Sequence, residues 1–166
     1  MIIDSPLIKA RDMLESVTPL GCSDCGRLCR QACCSKTVGD SMELFPGEEK
    51  LFEGDDNYQI IRKGNSVLIK CNGSCDRMNR PLACRLFPLF PFVEDVDGVK
   101  TLSVIRDPRG ASICPIAHDE QVKFDREFVR AVRRAGMFLM KDKDCADYLE
   151  EMSDTLNDIL VLDYLL

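Results

Sequence analysis

The sequence predicts an α+β fold: a small, cysteine-rich, metal-centred domain with two short β-hairpins and a C-terminal helical pair. Three observations predict it. Eight of the ten cysteines fall between residues 22 and 84, among glycines and charged residues rather than in apolar runs. Two pairs of strand-like segments each flank a glycine-containing turn. The C-terminal stretch repeats apolar residues at helical spacing.

The elements follow in order. Residues 7–17 read as a short helix, with Leu7, Ile8, Met13, Leu14 and Val17 available for burial, Pro6 near its start and Pro19 beyond its end. The cysteine block comes next, as compact loop or broken helix. Pro46-Gly47 marks a turn, and Glu48 and Glu49 look like first-turn acids of a short helix. Residues 58–62 and 66–70 flank Lys63-Gly64-Asn65, a hairpin that delivers Cys71 at a strand end. Residues 92–96 and 99–105 flank Asp97-Gly98, a hairpin of the type I′ sort. Residues 119–140 and 144–165 read as two helices separated by the charged stretch 141–144. No repeat or long linker interrupts the chain, so 1–166 reads as one domain, with a cysteine core over 20–116 and C-terminal helices over 117–166.

Composition narrows the class further. An apolar content of 45% over 166 residues excludes a disordered chain and suffices for a core. No run approaches the roughly 18 apolar residues of a membrane span. The first residues carry neither a basic n-region nor an apolar h-region, so the expectation is a cytoplasmic protein without a signal peptide. The net charge of −6 argues against nucleic acid as a partner. That excess acid avoids the cysteines: residues 21–90 hold ten basic and nine acidic groups, whereas residues 91–166 hold ten and sixteen.

Three chemistries compete for ten cysteines. A disulfide framework suits small secreted chains and not this one. Buried free thiols suit Cys145, one apolar position on a helix, but not the cysteines clustered beside Gly, Asp, Arg and Asn. Metal ligation suits those. Cys22-Ser-Asp-Cys25 and Cys71-Asn-Gly-Ser-Cys75 have the short gaps that let two thiolates reach one ion, with Gly21, Gly26 and Gly73 beside them. Arg27, Arg30, Lys36, Lys70, Arg77, Arg80 and Arg85 are interleaved with the cysteines, where thiolate charge would need offsetting. Cys22, Cys25, Cys29 and Cys33 lie at i, i+3, i+7 and i+11. A continuous helix would hold the first and last about 16 Å apart, too far for one ion. Either the segment is broken, or it feeds more than one site. The number of thiols suggests two sites.

The motif Arg80-Pro81-Leu82-Ala83-Cys84-Arg85-Leu86-Phe87-Pro88 closely resembles the RPxxCRxFP signature of the zinc- or iron-chelating cysteine-cluster domains, the YkgJ-type family. Cys22, Cys25, Gly26 and the vicinal Cys33-Cys34 resemble that family's CxxCGxCC block, stretched here by an additional Cys29. Cys71 and Cys75 match its cysteine pair before the Arg-Pro dipeptide, and Cys114 matches its downstream cysteine. The resemblance covers roughly residues 20–116. It implies a thiolate metal module whose ligands are Cys22, Cys25, Cys33, Cys34, Cys71, Cys75, Cys84 and Cys114, with Cys29 an additional candidate. Related segments occur in flagellin lysine methylases, which implies an enzymatic alternative.

The functional expectation is therefore a metal-binding protein holding zinc, or iron, at two largely structural sites. The alternative is an iron–sulfur protein with redox or protein-methylation activity. No HExxH motif, phosphate loop, CxxxCxxC or CxxCxxC run is present to favour standard catalysis. Arg126, Arg130, Arg133 and Arg134 read as a solvated helix face, and His118 as a polar residue at a helix start.

Overall fold

The computed structural model describes residues 5–22, 25–34, 41–73 and 76–165. Its architecture is α+β, with two small antiparallel sheets and six helices among the described residues. None of these helices is long and apolar enough to cross a membrane.

Helix α1 (Pro6–Met13) begins where the Ser5 side chain accepts the Ile8 N–H at 3.3 Å and Pro6 occupies the first turn. It buries Leu7, Ala10 and Leu14 in the core that helix α5 (Arg126–Leu139) shares. The helix is shorter than the expected 7–17. The Arg77 guanidinium takes the carbonyls of Leu14, Glu15 and Val17, which therefore do not continue the helical ladder.

Strands β2 (Tyr58–Lys63) and β3 (Ser66–Cys71) form the first expected hairpin, closed by Gly64 and Asn65. A two-residue strand β1 (Met42–Glu43), absent from the sequence reading, pairs with the other edge of β3. Leu44, Phe52 and Ile69 form a small core of their own under this sheet.

The second hairpin, β4 (Leu89–Val96) and β5 (Val99–Arg106), is closed by Asp97 and Gly98, both at positive φ as a type I′ turn requires. Residues 89–93 are buried throughout. Helix α5 covers one face of the hairpin: a Cβ on Gly136 would lie 2.6 Å from Pro91 Cβ, so only glycine permits the approach. Helix α6 (Lys143–Leu165) packs along β4. Its Ser153 accepts the Val93 N–H at 2.9 Å and returns its hydroxyl to Leu149 O at 2.7 Å, satisfying a polar group inside an apolar contact. Cys145, Leu149 and Leu156 share that buried face.

Helix α5 starts at Arg126, later than the expected 119. Asp125 caps it, accepting from Glu127 N and Phe128 N at 3.0 and 3.1 Å. Residues upstream form a separate short helix, α4 (Pro115–His118), and an irregular link. The arginines of α5 are exposed, as expected of a solvated face, with Arg130 paired to Glu127 at 2.6 Å.

At the centre lies a buried polar network. Glu48, at the start of a 3₁₀ turn (Glu48–Leu51), is 0% exposed. Its carboxylate pairs with Arg11 of α1, accepts the Leu82 N–H at 2.7 Å and accepts the Phe45 N–H at 3.3 Å. Leu82 opens helix α3 (Leu82–Leu86), the helix of the RPLACRLFP motif. Burial raises the Glu48 carboxyl above its ordinary range, while Arg11 and the two amides pull it back. Arg85 is buried alongside and donates to Arg11 O, Met78 O and Arg80 O at 3.0, 2.6 and 2.9 Å. Burial, aided by repulsion from Arg11, pulls its pKa down to about 10.

Two outcomes test this core. Glu48→Ala strands Arg11 in an apolar setting and should cost about 3–5 kcal/mol in urea unfolding, with Glu48→Gln costing less. Burial pushes the Cys145 thiol up to about 12. Only about one molecule in ten thousand would then carry its thiolate at pH 8. Peptide mapping after iodoacetamide should find Cys145 unmodified until the chain is unfolded, and exposed Cys22 modified in the native, chelator-treated protein.

Candidate metal centre

The cysteine block is a broken helix, and the break has a local cause. Helix α2 (Gly26–Cys29) ends in two consecutive left-handed residues, Arg30 at φ 53° and Gln31 at φ 58°. The N–H groups of both return to Gly26 O, the bond from Gln31 being 3.0 Å. The chain therefore turns back after one helical turn. A 3₁₀ turn (Ala32–Cys34) follows, bonded from Cys34 N to Gln31 O at 2.8 Å. The separation of about 16 Å that a continuous helix would impose on this cysteine series does not apply.

This reversal gathers thiols. Cys25 precedes α2 and Cys29 ends it, with Cys29 Sγ 4.0 Å from Cys25 O. Cys33 Sγ and Cys34 Sγ stand 3.9 Å apart. The contact with Cys34, then burial, then the charges of Cys34, Cys29 and Cys25 all push the Cys33 thiol up. Packed thiols disfavour ionisation of one another, and a bound cation relieves that penalty.

Cys114 joins from a distant stretch. It is 6% exposed and forms a small apolar cluster with Ile116 and Ala117, against which Cys25, Leu20, Phe87, Val122 and Phe124 pack. Phe87 is the phenylalanine of the RPLACRLFP motif, so the motif and both cysteine stretches meet here. Burial raises the Cys114 thiol, the neighbouring Ala117 and Ile116 amides lower it, and Cys29 nearby raises it. The Ala117 N–H itself donates to Cys114 O at 3.0 Å, opening α4.

The remaining expected ligands are placed as follows. Cys22 is exposed, and its carbonyl is held by the Thr18 hydroxyl. Cys84 is half-buried on α3. Cys71 ends β3 opposite Tyr58 and is half-buried. Cys75 and Lys36 lie outside the described residues. His118 is exposed at the end of α4. Cys22, Cys29, Cys33, Cys71, Cys114 and Cys145 carry free thiols. Among the described residues, no group of three or more His, Cys, Asp or Glu side chains is arranged to hold a metal ion. The donor chemistry suits a soft or borderline metal.

Arg77 and Arg85 direct hydrogen bonds at backbone carbonyls of the segments that flank the cysteines. A further arginine, Arg106 at the end of β5, was not singled out by sequence and does the same for the segment after Cys114. Its Nη1 donates to Ile116 O and Asp119 O at 2.8 and 2.9 Å and approaches Ala117 O at 3.5 Å. Its Nη2 donates to Val122 O, and its guanidinium lies 4.6 Å from the Phe124 ring centroid. Position alone carries no signal for this role, because an arginine at a strand end is ordinarily a solvated residue.

Comparison with family models, with curated proteins and with solved structures finds no match to this chain.

Proposed function

We propose that the protein is a cytoplasmic thiolate metal-binding module, holding zinc or iron through Cys22, Cys25, Cys33, Cys34, Cys71, Cys75, Cys84 and Cys114, with Cys29 as an added donor. The observation that carries this reading is the short helix that holds Cys25 and Cys29 together, with the vicinal Cys33 and Cys34 just beyond its reversal and Cys25 packed against buried Cys114. The number of thiols is enough for two metal sites. Closed thiolate sites cross-link irregular segments and leave no open position for a reacting water. The role is structural: the main apolar core joins α1, α3, the second hairpin, α5 and α6, whereas only a small cluster packs around Cys114.

Anaerobic purification followed by elemental analysis and an absorption spectrum tests the proposal. About two ions per chain are expected. A colourless preparation identifies zinc, and broad visible absorption identifies an iron–sulfur centre. Cys25→Ser and Cys84→Ser should each lower bound metal, while Cys145→Ser should leave it unchanged. Full metal content in the first two variants sinks their assignment as ligands. Chelation should raise hydrogen exchange in residues 25–34 and 114–122 while α5, α6 and the second hairpin stay protected.

A further inference from the structure

The two long C-terminal helices carry opposite charges on their uncovered sides. Helix α5 buries Phe128, Val132, Ala135 and Leu139, and α6 buries Cys145, Leu149 and Leu156 in the same core. At helical spacing, the sides opposite those residues hold Arg126, Arg130 and Arg133 on α5 and Glu151, Asp154 and Asp158 on α6, and all six are exposed. Among the described residues, Arg126, Arg133, Glu151, Asp154 and Asp158 enter no ion pair, and Arg130 pairs with its own neighbour Glu127. Other charges of the same helices do find partners, Lys143 with Asp147 and Glu150 with Lys100. Both stripes lie opposite the buried faces, so each is turned outward and available to another molecule.

The stripes match in spacing as well as in sign. The arginines follow one another at four and then three residues. Read backwards, the acids do the same: Asp158, Asp154, Glu151. Each stripe is about 10.5 Å long at the rise of an α-helix. Laid antiparallel, Arg126 meets Asp158, Arg130 meets Asp154 and Arg133 meets Glu151. A parallel alignment of the outer two pairs would set Arg130 beside Thr155 instead.

We infer that the chain associates with a second copy of itself, α5 of one copy lying antiparallel on α6 of the other. The complementary stripe is supplied by the chain itself, at the spacing required. Exposed ion pairs are individually weak and are screened by salt, so the association is a weak, salt-sensitive one. It depends on neither the thiols nor a metal.

Two charge-reversed variants of the full-length chain, kept reduced and followed by sedimentation, test this. One carries Arg130→Glu and Arg133→Glu, the other Glu151→Arg and Asp154→Arg. Wild type should self-associate at about 20 mM salt and return to monomer at about 1 M, where charges are screened beyond about 3 Å. Each variant alone sets like charges against each other, and its dissociation constant should rise about a hundred-fold. In an equimolar mixture, α5 of each variant meets α6 of the other with signs opposed, so association should return. Both variants stay net acidic, because each shifts the charge of −6 by four, and bulk attraction between them is absent. Circular dichroism matching wild type shows that they fold. If a reversal does not fold, Arg133→Gln and Glu151→Gln should each weaken association about two- to five-fold. A wild type that is monomeric at low salt up to about 1 mM protein overturns the inference. Variants that associate as wild type does also overturn it, and so does a mixture that stays monomeric. None of these outcomes bears on the metal reading.

Discussion

One buried carboxylate organises the fold around it. Glu48 has no exposed surface, so its charge and lone pairs must be met inside the protein. It meets them with groups from three separate segments: the Arg11 guanidinium on α1, the Phe45 amide in its own turn and the Leu82 amide that opens α3. Arg85 then returns from α3 to Arg11 O, closing the circuit. The orientation of α3 follows from this arrangement. Cys84 lies on that helix and Phe87 follows it, reaching the cluster around Cys114 and Cys25. The candidate metal centre therefore inherits its geometry from an interaction in which no cysteine takes part.

Arginine holds the irregular part of the molecule together. Segments outside helices and strands leave carbonyls without ladder partners, and buried carbonyls need donors. Arg77 serves the end of α1, Arg85 the segment before α3, and Arg106 the segment after Cys114. Lysine could supply the same charge but not the fan of coplanar donors. Two cations of the cysteine stretch, Arg77 and Arg85, thus direct hydrogen bonds at the backbone.

Legibility followed the range of the forces involved. Both hairpins were readable, because turn chemistry at Gly64-Asn65 and Asp97-Gly98 is written in adjacent residues. The two C-terminal helices were readable from periodicity, and Cys145 from its place in that pattern. Strand β1 was not, since two residues carry no period and exist as a strand only by pairing with β3. The early end of α1 and the late start of α5 were not readable either. The first depends on Arg77, remote in sequence, and the second on Asp125 competing with the preceding apolar residues for the start of the helix. Glu48 looked like an ordinary first-turn acid, because nothing local distinguishes an exposed glutamate from a buried one.

The sequence by itself determined the α+β class, the position of the turns and the chemistry available: thiols in short-gap pairs, glycines beside them and acid kept elsewhere. These are properties of neighbouring residues, and local sterics and composition are enough to express them. Tertiary structure alone decided which thiols approach one another. It brought Cys114 against Cys25 and set Arg106 on the carbonyls of the segment that follows Cys114. Those outcomes depend on groups far apart in sequence sharing buried hydrogen bonds, and no local pattern encodes such a pairing.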